Sequence, residues 1–139
     1  MRARLSGDRG GVTTELVLVT PILLVLLMFI VFAGRMATAK GRVINASRDA
    51  ARAASIERSA GAAQHEAVAA AEATLADKSV TCRPLQVDVD TSSFGAGGEV
   101  AVTVHCEIEL ADLSLLAIPG SRTFESTSVE VVDTFRGAG

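Results

Sequence analysis

An uninterrupted apolar run near the amino terminus constrains the fold of this chain more than any other feature of its sequence. Residues 16–33 read LVLVTPILLVLLMFIVFA and carry no charge. At about 1.5 Å per residue, a helix of this length crosses most of the hydrocarbon core of a bilayer. The run therefore predicts a transmembrane helix, which we assign to residues 11–34. Because Pro21 lies one turn into the run and lacks an amide hydrogen, we expect a kink there.

A secretory signal peptide is the alternative interpretation of the same run. The chain begins with basic residues, and the small residues Ala37, Thr38 and Ala39 are similar to a signal-peptidase site. Cleavage there would release a small secreted β-rich domain that begins at Lys40. The apolar region of a signal peptide usually has about 7 to 15 residues, and this run is longer, so its length favours a permanent helix.

Charge is ordered along the chain, with basic residues on both sides of the apolar run and mostly acidic residues from Glu57 onward. A basic collar beside an apolar segment suits the anionic headgroups of membrane lipid, although an ordinary solvated surface would have the same composition. Nucleic-acid binding would need a basic face on the folded domain, so we predict no nucleic-acid partner. The collar consists of Arg2, Arg4, Arg9, Arg35, Lys40, Arg42, Arg48 and Arg52. Because both flanks are basic, counting them does not orient the helix.

The segment that follows, residues 35–78, is rich in Ala, contains no Pro and has strong helix propensity. We expect the transmembrane helix to continue outward through it as an extracytoplasmic stalk. Gly61 is the expected break, since Gly costs roughly 1 kcal/mol against Ala in a helix interior. A second, shorter helix would then end near Asp77.

Beyond the stalk, the pattern of apolar residues changes from helical to alternating. Residues 85–89 and 100–110 each place apolar and polar side chains on opposite faces, and the glycine-containing stretch 93–98 lies between them. These segments predict a β-hairpin, and residues 123–135 predict a third strand. The expected fold is α+β, a long amino-terminal helix followed by a small antiparallel sheet in residues 79–136, with a frayed tail at residues 137–139.

The soluble part needs additional stabilisation because its core must be thin. The chain has 139 residues, no Trp or Tyr, and few Phe. Small domains of this kind usually depend on a disulfide, an anchor or neighbouring subunits. Its two cysteines, Cys82 and Cys106, predict one disulfide if the module lies outside the cytoplasm. The loop of about 25 residues would contribute roughly 3 to 4 kcal/mol. A free buried Cys106 and a metal site are the alternatives, but there is neither a CxxC pair nor a His-rich spacing.

Sequence signatures of catalysis are missing from the chain. No glycine-rich phosphate loop, nucleophile elbow or zinc signature is recognisable. His65 and His105 lie in polar surroundings and are predicted to be surface residues. We therefore expect no enzymatic activity, no cofactor, no metal and no small-molecule substrate.

The residues just before the apolar run resemble a known family. Residues 8–16 read DRGGVTTEL, and the pattern continues with Thr20-Pro21 inside the run and Gly34-Arg35 at its end. This arrangement resembles the amino-terminal signature of TadE-like proteins, which are pseudopilins or minor pilins of tight-adherence type IV pilus systems. The resemblance covers about a third of the chain. The layout of the remainder is also similar to that of pilin-like proteins.

The resemblance implies that a prepilin peptidase removes a leader peptide, residues 1–10. A cut after Gly10 would make Gly11 the first residue and Glu15 the fifth, as in the family. Gly10 and Gly11 could each precede the scissile bond, and the spacing to Glu15 favours Gly10. Glu15 would then pair with the amino-terminal ammonium of a neighbouring subunit in the membrane. On chemistry alone, Glu15 could instead sit at the interface, where the helix dipole favours an anion.

Three hypotheses follow, and they predict different mature amino termini. The first is a pseudopilin or minor pilin in the bacterial cell membrane, with a cytoplasmic amino terminus, an extracytoplasmic module and incorporation into a surface pilus. Its partners would be pilin subunits, the prepilin peptidase and the assembly machinery. The second is a permanently anchored single-pass protein whose distal module binds or scaffolds a cell-envelope partner. The third is the secreted domain released at Ala39.

Overall fold

A computed structural model describes residues 11–77, 80–114 and 116–137 of the chain. The predicted leader, including Gly10, and residues 138–139 of the predicted tail lie outside the described residues. Side chains are described from Glu15 to Phe135 within these ranges.

The amino-terminal half forms two helices. Helix α1 runs from Gly11–Ser55 as one continuous element of 45 residues. Residues 56–59 interrupt the helix, and helix α2 follows at Ala60–Asp77. The Ser59 hydroxyl accepts a hydrogen bond from the Ala62 amide (3.2 Å), as an N-cap does. The break lies at residues 56–59, and Gly61, the predicted break, is instead in the first turn of α2, because Ser59 caps the new helix.

The carboxyl-terminal half contains the predicted three-stranded antiparallel sheet. Its strands are β1 (Leu85–Asp90), β2 (Glu99–Glu109) and β3 (Ser121–Val131), in the order β1-β2-β3. The register pairs Leu85 with Cys106 and Cys106 with Phe124. The α+β fold expected from the sequence, a long apolar helix followed by a small antiparallel sheet, is confirmed.

Two strand ends differ from the sequence-based expectation. Strand β2 stops at Glu109 because a short helix, α3 (Leu110–Leu113), begins there, and the Ser114 amide donates to the Leu110 carbonyl (2.9 Å) to close its turn. Strand β3 stops at Val131, and residues Thr134–Gly137 form a 3₁₀ helix. Alternating apolar residues did not reveal these turns, since both turns depend on hydrogen bonds that are not visible in the pattern.

The core lies between the two helices and one face of the sheet. Strand β2 buries every second residue, as the alternation predicts. Helix α2 buries one stripe of residues spaced four apart, and the second half of α1 buries a wider face. The segment predicted as a stalk thus covers the sheet with small side chains. The buried residues of the helices are Ala39, Val43, Ala46, Ser47, Ala50, Ala51, Ala54, Ser55, Ala63, Ala67, Ala71 and Leu75.

The turn between β1 and β2 contains a glycine that has no room for a side chain. A Cβ atom at Gly98 would collide with the backbone carbonyl oxygen of Ser93, whereas a Cβ at Gly95 would meet nothing within 4 Å. The same turn begins with Asp90, whose carboxylate accepts a hydrogen bond from the Ser92 amide (2.9 Å). The side-chain and backbone hydrogen bonds from Ser92 hold the pKa of Asp90 below its ordinary value.

Gly98→Ala is expected to destabilise the hairpin by about 1–3 kcal/mol, the usual cost of forcing extra atoms into a packed site. Gly95→Ala is the matched control and should change stability by a few tenths of a kcal/mol at most. Urea-induced loss of amide protection in β2 measures both effects. Equal protection in the two variants would show that the turn relaxes around the new methyl group.

A cluster of three serines, of which Ser47 is buried and the other two are half-buried, joins α1 to β3. The Ser47 side chain is 0% exposed, and its hydroxyl oxygen lies 3.0 Å from that of Ser126 and 2.8 Å from that of Ser128. The Ser47 hydroxyl also lies 2.9 Å from the Ile44 carbonyl oxygen. A buried hydroxyl is tolerated only when it has hydrogen-bond partners, so these contacts fix the position of α1 on the sheet.

Ser47→Ala should lower the free energy of unfolding by about 1–2 kcal/mol, because two half-buried hydroxyls lose their shared partner. Ser55→Ala provides the comparison, since the Ser55 hydroxyl donates only to the Arg52 carbonyl of its own helix. Hydrogen exchange in β3 should increase in the first variant and stay near the original rate in the second. The reverse order would contradict the role given to Ser47.

Candidate membrane span and subunit-assembly site

The amino-terminal half of α1 exposes nearly all of its large apolar side chains. Fourteen such residues between positions 16 and 31 have exposures of 37% to 70%. Soluble proteins seldom expose a continuous apolar surface of this size, whereas a lipid-facing helix must do so. These residues are Leu16, Val17, Leu18, Val19, Ile22, Leu23, Leu24, Val25, Leu26, Leu27, Met28, Phe29, Ile30 and Val31.

Helix length agrees with this interpretation. The stretch Glu15–Ser55 is long and apolar enough to cross a membrane, and none of the residues in its most apolar window is buried by the rest of the chain. A core helix of a soluble protein would be mostly covered. The structure is therefore that expected of a single-pass membrane protein, with the span at the start of α1 and the packed half of α1 beyond it.

Glu15 lies at the entrance of the apolar surface. Helix α1 begins at Gly11, so Glu15 is in the second turn, and its side chain is exposed. It has no hydrogen bond or ion pair with any of the residues described from 11 to 137. A carboxylate in the membrane without a counter-charge is costly, by about 3 kcal/mol near the bilayer centre. Among the described residues, the geometry leaves the Glu15 carboxylate available to a further group.

Pro21 lies inside α1, and the helix continues through it. Its missing amide leaves the Val17 carbonyl without the usual partner four residues on. One residue earlier, the Thr20 hydroxyl donates to the Leu16 carbonyl at 2.6 Å. Side-chain hydroxyls of this kind help to satisfy helix carbonyls inside membranes. The kink at Pro21 stays a prediction.

The two cysteines meet at one end of the sheet. Cys82 and Cys106 lie at disulfide distance, with their Cα atoms 5.0 Å apart, and no described cysteine is free. Cys106 is fully buried in β2, and the Arg83 amide donates to the Glu107 carbonyl at 2.8 Å beside it. The link therefore attaches the chain leaving α2 to the central strand.

Comparison with known families bears on this same helix. The model of the TadE-like protein family matches residues 10–52. This segment is TadE-like. The match covers Gly11, Glu15 and Pro21 and almost all of α1, and it confirms the resemblance inferred from the sequence. No curated protein and no solved structure matches the chain.

The sheet lies beyond the TadE-like segment and carries a polar outer face. On that face His105 in β2 lies between Asp88 of β1 and Glu125 of β3, with nitrogen-to-oxygen distances of 3.2 and 3.3 Å. His105 is partly exposed, as expected from its polar surroundings in the sequence. Among the residues that the structure describes, no group of three or more His, Cys, Asp or Glu side chains is arranged to hold a metal ion.

Two adjoining cavities lie beside α1, between residues 24–42 and parts of the distal module, and sequence patterns did not indicate them. The larger, of about 640 Å³, is lined by residues that include Arg35, Arg42 and Arg83. The smaller, of about 380 Å³, is an apolar groove between α1 and the residues after α3. Both form only when residues far apart in the chain meet.

Proposed function

We propose that this chain is a pseudopilin or minor pilin, a structural component of a tight-adherence pilus. The observation that carries the proposal is the match of residues 10–52 to TadE-like proteins over a helix whose apolar surface is uncovered. Pilin-type subunits assemble through such helices, so the function needs a free apolar helix and a folded head. The chain has both, since α1 projects from the two-layered core.

In this proposal a prepilin peptidase cuts the chain after Gly10, and the module with the sheet lies outside the cytoplasm. Gly11 is part of helix α1, so the cut would leave a mature chain that is helical from its first residue. The disulfide-distance pair of Cys82 and Cys106 supports the outward orientation of the module, because disulfides persist in oxidising compartments.

In this proposal, Glu15 forms an ion pair between subunits once the leader is removed. Cleavage creates an ammonium group at the amino-terminal end of α1, where the helix dipole already places positive charge. The Glu15 carboxylate of a neighbouring subunit would neutralise the ammonium and the positive end of the helix dipole. The pairing would offset the cost of burying the ammonium and the carboxylate. The Glu15 carboxylate is exposed and has no partner within the described chain, as this role requires.

The proposed role is structural and not enzymatic. The two other hypotheses are an anchored scaffold and a secreted domain released at Ala39. The continuity of α1 through residues 37–39, with Ala39 only 4% exposed, supports retention of the helix over release of a domain at that point. The family match across Glu15 favours the pilin role over a general anchor.

The proposal is tested by genetic complementation in the bacterium that carries this gene. Deletion should remove or strongly reduce surface pili seen by electron microscopy and recovered by shearing, and the original gene should restore them. Gly10→Leu should retain the leader and fail to complement, whereas Gly7→Leu, a change inside the leader, should complement. Normal piliation of the deletion strain would overturn the proposal.

A further inference from the structure

A short segment after α3 carries exposed apolar side chains beside the membrane helix. The apolar loop is defined here as residues 113, 114 and 116–118. Leu116 is 61% exposed and Ile118 is 39% exposed. Together with Leu113, these side chains form one wall of the apolar groove, and α1 forms the other wall from Leu24 to Phe32.

The position of the groove relates the apolar loop to the bilayer. Leu24 is near the middle of the apolar run at residues 16–33, and Phe32 is near its distal end. The groove therefore follows the half of the span nearest the sheet, over about 12 Å at 1.5 Å per residue. The apolar loop lies beside this half of the helix, so it is placed at the leaflet that this half of the helix crosses.

Backbone hydrogen bonding in the apolar loop suits the boundary of the hydrocarbon. The Ser114 amide donates to the Leu110 carbonyl at 2.9 Å, and the Ile118 amide donates to the Leu116 carbonyl at 2.6 Å. The Ser114 hydroxyl also donates to the Leu116 carbonyl. Irregular backbone is excluded from lipid chiefly because its polar groups lack partners, and these local bonds reduce that cost.

The larger cavity continues the groove towards the aqueous side. The two share Val31 and Leu113 in their walls. Three arginines, Arg35, Arg42 and Arg83, line the larger cavity together with Glu109 and Asp112. None of the three arginines has an ion pair within the described residues. With three arginines and two acidic residues, the lining of the larger cavity has one more positive than negative charge.

We propose that the two cavities together form a binding site for one anionic phospholipid. An acyl chain lies in the groove between α1 and the apolar loop, and the phosphate contacts Arg35, Arg42 and Arg83 in the larger cavity. Arginine suits phosphate because its planar guanidinium donates two parallel hydrogen bonds. Leu116 and Ile118 enter the leaflet beside that lipid, as the side chains of interfacial segments do. The site requires membrane insertion of α1 but not a role in pili.

Tryptophan fluorescence tests the acyl-chain part, because the chain contains no Trp or Tyr of its own. Leu116→Trp is placed in the full-length protein, reconstituted in vesicles of brominated phosphatidylcholine and phosphatidylglycerol. Phe29→Trp marks the span, and Val131→Trp marks the far end of β3, where Val131 is 67% exposed. We expect Leu116→Trp to emit at shorter wavelength than Val131→Trp and to lose intensity to the brominated chains as Phe29→Trp does.

Two results would overturn the acyl-chain part. Emission of Leu116→Trp like that of Val131→Trp, without quenching, would place the apolar loop in water. Short-wavelength emission without quenching would show that protein, such as a second copy of this chain, covers the loop instead of lipid. Quenching of Phe29→Trp in the same membranes shows that the span is inserted, so neither failure would reflect on the membrane helix or on the pilus proposal.

Headgroup preference tests the phosphate part. At equal lipid composition, Leu116→Trp should be quenched more when bromine is on phosphatidylglycerol than when it is on phosphatidylcholine. Arg35→Gln and Arg83→Gln should each reduce this excess, and Arg48→Gln, an exposed arginine of α1 outside both cavities, should leave it unchanged. Equal quenching by the two lipids, or an equal effect of Arg48→Gln, would overturn the assignment of the arginines to the phosphate.

Discussion

Glu15→Ala should leave the leader cleaved but remove the chain from the sheared pilus fraction. In the proposed processing, the peptidase would act at the bond between Gly10 and Gly11, which this substitution leaves intact. Assembly, in contrast, would bury the ammonium of Gly11 without a counter-charge. Removing one member of a buried ion pair costs about 3–5 kcal/mol, which corresponds to roughly a hundredfold loss of incorporation or more.

Three variants distinguish the ion-pair role of Glu15 from an effect of removing any acidic residue. Glu15→Asp keeps the charge and should retain part of the incorporation, whereas Glu15→Gln keeps the shape but not the charge and should fail. Glu72→Ala removes an exposed carboxylate of α2 and should assemble normally. Immunoblots of sheared pili and membranes measure all three. Normal incorporation of Glu15→Ala would contradict the ion-pair role and leave the interfacial explanation of Glu15.

Replacing both Cys82 and Cys106 by Ala should produce the largest loss of stability in the distal module. The disulfide closes a loop with a sequence separation of 24 residues, and it joins the fully buried Cys106 of β2 to the segment leaving α2. On the chain-entropy estimate the loss is about 3–4 kcal/mol. That is a large fraction of the stability of a small core.

Hydrogen-exchange mass spectrometry of the full chain in detergent micelles measures this loss in each segment. Amides of β2 should exchange roughly two to three orders of magnitude faster in the double variant, since each 1.4 kcal/mol is tenfold. Peptides from the apolar half of α1 should be unaffected, and Thr81→Ala, an exposed neighbour of Cys82, should behave as the original chain. Unchanged β2 protection in the double variant would show that the link contributes little.

Local patterns in the sequence were sufficient to predict the elements of this fold. The uncharged run at residues 16–33 identified the exposed half of α1, and the period of two at residues 100–110 identified β2. Both signals are strong. The run at residues 16–33 is apolar throughout, and the segment at residues 100–110 has one face that is apolar throughout. The family resemblance was equally local, since it depends on the spacing from Gly10 to Glu15.

Contacts between distant residues could not be predicted in the same way. Ser47 looks like any polar residue of an Ala-rich helix, yet its partners are Ser126 and Ser128, about eighty positions later in the chain. The sequence predicted that the stalk continues the transmembrane helix outward, but it did not show which of the small side chains pack on the sheet. The two cavities were not predictable for the same reason. Arg83 and Leu116 are distant from α1 in the sequence and lie beside it only in the folded chain.

The central claim, that this is a processed pilin-type subunit, is tested most directly by the mass of the mature protein from its native membrane. Intact-mass and amino-terminal peptide measurements on that material should give a chain that begins at Gly11. A chain with residues 1–10 still attached would contradict processing and indicate a permanent anchor. A chain that begins at Lys40 would contradict membrane retention and indicate a secreted domain.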